Sequence, residues 1–94
     1  IIDPGIGFGK TVEHNLQIIK NLSDLKRLDT PIMIGISRKS MIGKILNTDD
    51  VNDRHEGTIT LNTISVLNGA HIIRVHDVIE GVRTAKIIDA YRKA

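Results

Sequence analysis

The 94-residue chain contains no cysteine, no tryptophan, one phenylalanine, one tyrosine and two prolines. Without cysteine, disulfides and cysteine-based metal sites are excluded. With so few aromatics, a core has to be built from Ile, Leu and Val, as buried parallel strands and their covering helices are. The stacking surface that single-stranded nucleic acid needs is missing as well. Formal net charge is only +2, from 13 Lys and Arg against 11 Asp and Glu. The cations are scattered among acids rather than gathered on one face, so no nucleic-acid footprint is present. The mildly basic balance favours a small anionic ligand instead. The longest apolar runs are about five residues, against the ~20 needed to cross a bilayer. We therefore expect no membrane association, and with no signal peptide visible the default compartment is the cytoplasm. The remaining composition, 40% hydrophobic and 26% charged, is that of an ordinary globular domain. The chain opens at Ile1, with no initiator Met, inside a stretch that reads as a strand, which suggests a fragment of a larger protein.

What is present is a pattern repeated three times: a short apolar strand running out into a polar cluster, then an amphipathic helical stretch. Ile1-Ile2-Asp3 opens into Pro4-Gly5-Ile6-Gly7-Phe8-Gly9-Lys10, Ile32 to Ile36 ends in Ser37-Arg38-Lys39-Ser40, and His71 to His76 ends in Asp77. Thr11 is a plausible N-cap for a helix carrying Val12, Leu16, Ile19, Leu22 and Leu25 to about Arg27. Ser37 reads as the cap of a short helix from Arg38 to Leu46, and a further helix is expected from about Asp53 to Leu67, stopped by Asn68-Gly69. A last helix, from Ile79 to about Arg92, places Val82, Ala85, Ile87, Ile88 and Tyr91 on a broad apolar stripe. The order β-α-β-α-β-α, with strand centres roughly 30 to 40 residues apart, is that of parallel strands joined by long crossovers. No linker interrupts it, so residues 1–94 form one unit without an internal boundary. Three parallel strands cannot close a barrel. We expect an α/β fold amounting to about the last three βα units of an eight-stranded barrel, whose ligands bind at the carboxyl ends of its strands.

Those ends carry the chemistry. The glycine-rich loop is not a P-loop, because Pro4 stands where the first glycine is required. It is equally not a dinucleotide fingerprint, because Lys10 occupies a glycine position. It can be a simple turn, but Asp3 at a strand end is expensive to bury without a donor-rich partner. Ser37-Arg38-Lys39-Ser40 places two cations and two hydroxyls at a helix start, which suits an anion. Gly35 removes a side chain from the strand before it and leaves room for a ligand ring. Arg74 and His76 share one strand face about 7 Å apart, and Arg suits bidentate phosphate binding. His14, His55 and His71 are not spaced to complete a metal site. His71 lies at the wrong end of its strand, and Arg54, His55 and Glu56 read as an exposed helix start without chemistry.

In order and spacing these clusters closely resemble the dihydropteroate synthase family. The resemblance rests on Asp3 to Lys10 with His14-Asn15, Gly35 to Ser40 with Ile42-Gly43, Gly57-Thr58, Gly69-Ala70 and Arg74 to Val78, and it spans essentially the whole chain. It implies a transferase of folate biosynthesis, built on a TIM barrel. Such an enzyme joins 4-aminobenzoate to 6-hydroxymethyl-7,8-dihydropterin diphosphate and releases pyrophosphate, and sulfonamides compete for its aminobenzoate site. The resemblance further implies that Asp3 and Lys39 bind the pterin, that Gly35 gives the ring room and that Phe8 packs against the ligands. It places the aminobenzoate carboxylate at Ser40 and the diphosphate on Arg74 and His76, leaving Lys39, Arg74 and His76 as the catalytic set. It also implies Mg²⁺ held by a ligand outside this chain, and a homodimer when intact. The alternatives are the pterin-binding domain of a methyltetrahydrofolate-dependent methyltransferase and a non-catalytic homologue.

Overall fold

A computed structural model describes residues 1–94 apart from the side chain of Lys26. Ile32, Ile34 and Ile36 are fully buried, and the apolar run containing them forms the middle of a small parallel sheet. Strand β1 (Met33–Ile34) pairs in parallel with β2 (Ile72–Ile73), Met33 opposite Ile72 and Ile34 opposite Ile73. On the other side of β1, Ile2 makes a single parallel bridge to Ile32. That bridge is closed by Ile2 N–H donating to the Pro31 carbonyl and Met33 N–H to the Ile2 carbonyl, both at 2.8 Å.

The three expected strand segments are thus neighbours in chain order and parallel, but much shorter than the expected runs. The reason is local. Gly5 N–H turns back onto Asp3 Oδ1 at 2.9 Å, drawing the first segment out of the ladder. At the same carboxyl end, on the other flank of β1, His76 N–H bonds the Ser37 hydroxyl at 3.2 Å instead of a strand carbonyl. The expected alternation along the third segment is observed: Ile72, Arg74 and His76 are exposed, while Ile73 and Val75 are partly covered.

Helix α1 (Val12–Lys20) begins at Thr11, whose hydroxyl accepts from His14 N–H at 3.1 Å. It ends seven residues before the expected Arg27. Asn21 directs both its backbone N–H and its side-chain amide to the Gln17 carbonyl, and Leu22–Leu28 tightens into a 3-10 turn that buries Leu22. Asn21, Ser23 and Asp24 are residue types that disfavour a helix interior, and the Asn21 side chain competes directly for a helix carbonyl.

Helix α2 (Ser40–Leu46) starts two residues later than expected, with Lys39 rather than Ser37 at its N-cap position. A 3-10 turn, Val51–Arg54, leads into α3 (His55–Leu67), and α4 spans Val78–Lys93. Ile6, Ile19, Leu22, the three strand isoleucines, Met41, Ile42, Leu61 and Ala70 make one core. Helix α3 packs on α4 and β2, and α1 on α2 and α3. The apolar stripe expected on α4 is not buried as a stripe. Ile88 is covered, while Val82, Ile87 and Tyr91 are exposed, because α4 meets the rest of the chain through its contact with α3.

Candidate functional site

The three segments deliver their polar clusters to one edge of the sheet. In the first loop, buried Ile6 anchors the chain, and Gly7 N–H donates to Oδ1 of buried Asn15 at 2.9 Å. Gly7 has φ +90°, and a Cβ there would lie 3.1 Å from Lys39 Cδ. Glycine is needed both for the left-handed backbone and for the passage of that lysine. Lys39 donates to the Ile6 carbonyl and holds its ammonium 5.0 Å from the ring centroid of Phe8, within cation–π reach. Phe8 is otherwise exposed. Lys10 Nζ donates to the Gly5 carbonyl at 3.0 Å, closing the loop on itself. The Lys39 ammonium is held below the usual lysine range, chiefly by desolvation and then by Arg74 and Lys10, with Asp3 pulling the other way. Lys39 therefore stands where the charges of Arg74, Asp3 and Lys10 all reach it.

The room beside Gly35 is filled from within. A Cβ built on Gly35 would stand 2.6 Å from Nη2 of Arg74 and 3.1 Å from its Nε and Cζ. The guanidinium of Arg74 thus lies over the glycine, in the space expected to be left for a ligand ring. Asp3, expected at a costly buried position, is exposed.

The Ser37–Ser40 cluster divides its duties differently from a helix-capping anion seat. Ser37 is buried, and its hydroxyl accepts from His76 N–H and lies 2.9 Å from His76 Nδ1. Arg38 turns away from Lys39 and forks onto Asp77, Nη2 to Oδ1 at 2.7 Å and Nε to Oδ2 at 3.4 Å. Ser40 opens α2 on an exposed shoulder and lines a cleft with Lys44, Asn47 and Arg54. The structure brings together Asp3, Phe8, Lys39, Gly35 and Arg74, ties His76 to Ser37, and sets Ser40 on the shoulder of the next helix.

Several supporting residues escape the sequence patterns. Asn15 figures in the sequence only as part of the family resemblance, with no role of its own, yet it holds the glycine loop. Arg54 donates Nη1 to the Arg38 carbonyl at 2.8 Å, and Arg38 N–H donates to the Thr58 hydroxyl at 3.1 Å. Arg54, expected to be exposed, is half-buried and supports the second loop. His71 seals the opposite end of the sheet, its Nδ1 accepting from Ile32 N–H at 3.1 Å.

The Asp77 carboxyl lies below its ordinary range, first because Arg38 donates hydrogen bonds to it, with the charges of Arg38, His55 and His76 adding to the effect. A depressed carboxyl stabilises the fold above its unfolded value of about 3.9 and loses that contribution as pH falls through the folded value. An NMR titration of the Asp77 carboxyl is expected to show a midpoint below that of a free aspartate, and Arg38→Ala should return it towards the free value.

The family model described as "pterin binding enzyme" matches residues 1–76, and the chain belongs to that family. Relatives named dihydropteroate synthase match nearly the whole chain. That of Clostridium beijerinckii is 51% identical over 90 residues, covering 95% of this chain and 33% of the relative. The structure of the Yersinia pestis dihydropteroate synthase with a sulfonamide drug is similar at a TM-score of 0.92 and 44% identity, covering 98% of this chain and 33% of that one. The Xanthomonas albilineans dihydropteroate synthase in complex with 7,8-dihydropteroate matches at a TM-score of 0.94 and 33% identity, covering 99% of this chain and 36% of that one. The chain thus spans about a third of the length of the curated relative. Among the described residues no helix is long and apolar enough to cross a membrane.

Proposed function

We propose that these residues are the last three βα units of an eight-stranded α/β barrel and supply part of the active site of a dihydropteroate synthase. The observation that carries this reading is the convergence of Asp3, Phe8, Lys39 and Arg74 at the carboxyl ends of parallel segments in a pterin binding enzyme. A dihydropterin presents a flat edge of N–H donors, which suits the exposed Asp3 carboxylate. Phe8 and the Arg74 guanidinium offer flat faces for packing against the ring. The pterin diphosphate carries a charged leaving group, for which Arg74, Lys39 and His76 are the available cationic or hydrogen-bonding groups, and the reading gives the carboxylate of 4-aminobenzoate to Ser40, on the shoulder of α2. In the reaction the bond from the pterin methylene carbon to the diphosphate oxygen breaks and pyrophosphate leaves with the electron pair. The aminobenzoate nitrogen bonds to that carbon and gives up a proton. No nucleophilic side chain is needed; stabilising charge on the departing diphosphate is the main demand on the protein.

Mg²⁺, implied by the family resemblance, does not find a donor set here. Among the described residues no group of three or more His, Asp or Glu could hold an ion, and Asp3 stands among cations. No step is assigned to it.

The test is release of pyrophosphate by the full polypeptide carrying these residues, dependent on both pterin diphosphate and 4-aminobenzoate. Calorimetric binding of methyltetrahydrofolate in place of pterin diphosphate would overturn the reading in favour of a methyltransferase domain. The 94 residues alone are expected neither to turn over nor to bind pterin tightly, since the remaining strand ends of the barrel are needed to surround the ligand.

Gly35→Ala probes the Arg74 seat. The new methyl group meets the far end of a flexible, exposed side chain, so the arginine swings aside and the fold is barely affected. A loss of roughly tenfold in kcat/KM is expected, a fraction of the 10²–10³ that removing a whole charge-stabilising donor costs. Unchanged kinetics would show that the guanidinium need not lie there.

A further inference from the structure

We propose that Arg38 and Asp77 are positioning residues, a bidentate clamp that locks the Lys39 loop to the Arg74–His76 loop, and that Arg38 is not a ligand-binding cation. The inference rests on the dihydropteroate synthase reading for its kinetic consequences, and on geometry for the clamp itself. Among the described residues Arg38 is one of three non-glycine residues with positive φ, at +58°, a conformation that is uncommon for arginine and persists only where its surroundings hold it. Three bonds do so. Its N–H reaches Thr58 Oγ1, its carbonyl accepts from Arg54 Nη1, and its guanidinium forks onto Asp77. Thr58 Oγ1 in turn donates to the Arg54 carbonyl at 2.9 Å, so both supports belong to the start of α3.

The neighbouring bond completes the clamp. Ser37 holds His76, and Arg38 holds Asp77, so two consecutive residues of one loop grip two consecutive residues of the other across 39 positions of sequence. The left-handed turn at Arg38 sends Lys39 to the opposite side, towards Ile6 and Phe8. Of the two adjacent cations, one is consumed in fixing the backbone while the other reaches the site. Forked arginine–carboxylate pairs fix orientation as well as distance. With side chains 46% and 29% exposed, this pair contributes little to overall stability, so its consequence is geometric.

The experiment is a double-mutant cycle in the full polypeptide, with steady-state kinetics in pterin diphosphate and hydrogen exchange at the Arg38 and His76 amides. Arg38→Ala and Asp77→Ala are each expected to lower kcat/KM about tenfold with melting temperature nearly unchanged, and the double variant to be no worse than either single one, since coupled residues are non-additive. Arg38→Lys keeps the charge without the fork and should recover only part of the loss. Amide exchange at Arg38 and His76 should accelerate in both alanine variants. If Arg38→Ala lowers activity while Asp77→Ala preserves or raises it, Arg38 is a ligand-binding cation and the clamp is wrong. Additive losses, or no loss in either variant, also overturn it. Should the parent polypeptide show no pterin-diphosphate-dependent turnover, the functional reading fails by itself. The exchange rates still decide the clamp, with unchanged rates refuting it.

Discussion

Arg74→Ala is expected to lower kcat/KM for pterin diphosphate by about 10²–10³-fold, the range found when a group stabilising transition-state charge is removed. The side chain is exposed and lies over Gly35, so its loss leaves no apolar cavity. Stability should stay within about 0.5 kcal/mol, as for surface substitutions generally. Pyrophosphate release and a urea melt on the same variant separate the two effects. Arg74→Lys restores a charge but not the planar fork, and should fall between wild type and alanine. A second signature is electrostatic. Arg74 is among the causes that hold Lys39 below its usual range, so the Lys39 ammonium should titrate higher in Arg74→Ala. An activity loss no greater than twofold would remove Arg74 from the catalytic set.

Gly57→Ala should have the largest effect on stability among the glycine substitutions considered. Gly57 lies in the first turn of α3, and a Cβ there would stand 2.3 Å from Ile42 Cγ2. Two effects compete. Alanine is the better helix former by about 1 kcal/mol, but overpacking a filled core costs about 1–3 kcal/mol. The overlap wins because Ile42 is 1% exposed and belongs to the main core, so the methyl cannot be displaced into solvent as the Arg74 guanidinium can be at Gly35. A net loss of up to about 2 kcal/mol follows from the difference of those two terms, read as a lower urea midpoint at constant slope. Because α2 follows Lys39 directly, any movement of α2 also shifts the second loop. Adding Ile42→Ala should make the combined loss less than additive, since it removes the atom that is struck. A midpoint equal to or above wild type would mean that α2 yields without strain.

The legible and illegible parts of this chain differ in kind. The parallel order of the segments could be read because apolar runs at long separation admit few other topologies, and the polar strand ends could be read because reactive groups gathered there. Strand length could not, because it is set by side-chain bonds such as Asp3 to Gly5 N–H and Ser37 to His76 N–H that replace the ladder. The end of α1 at Lys20 was obscured by Leu22 and Leu25, which continue the helical period although Asn21 has already turned the chain. Ser37 looked like a cap by residue type alone. Only its burial and its contact with His76 show it to be a bond between loops.

By itself, then, the sequence determined the class of core, the βα alternation and which polar clusters stand at the strand ends, because composition and periodicity act locally and are written in order along the chain. The tertiary structure decided which of those residues act on one another. Arg38 and Lys39 are adjacent and alike in charge, yet a left-handed turn assigns one to Asp77 and the other to Ile6 and Phe8. Gly35 is a gap in the sequence and a seat for Arg74 in the fold. Pairings across 39 residues depend on backbone geometry and on competition among donors, which no linear spacing specifies.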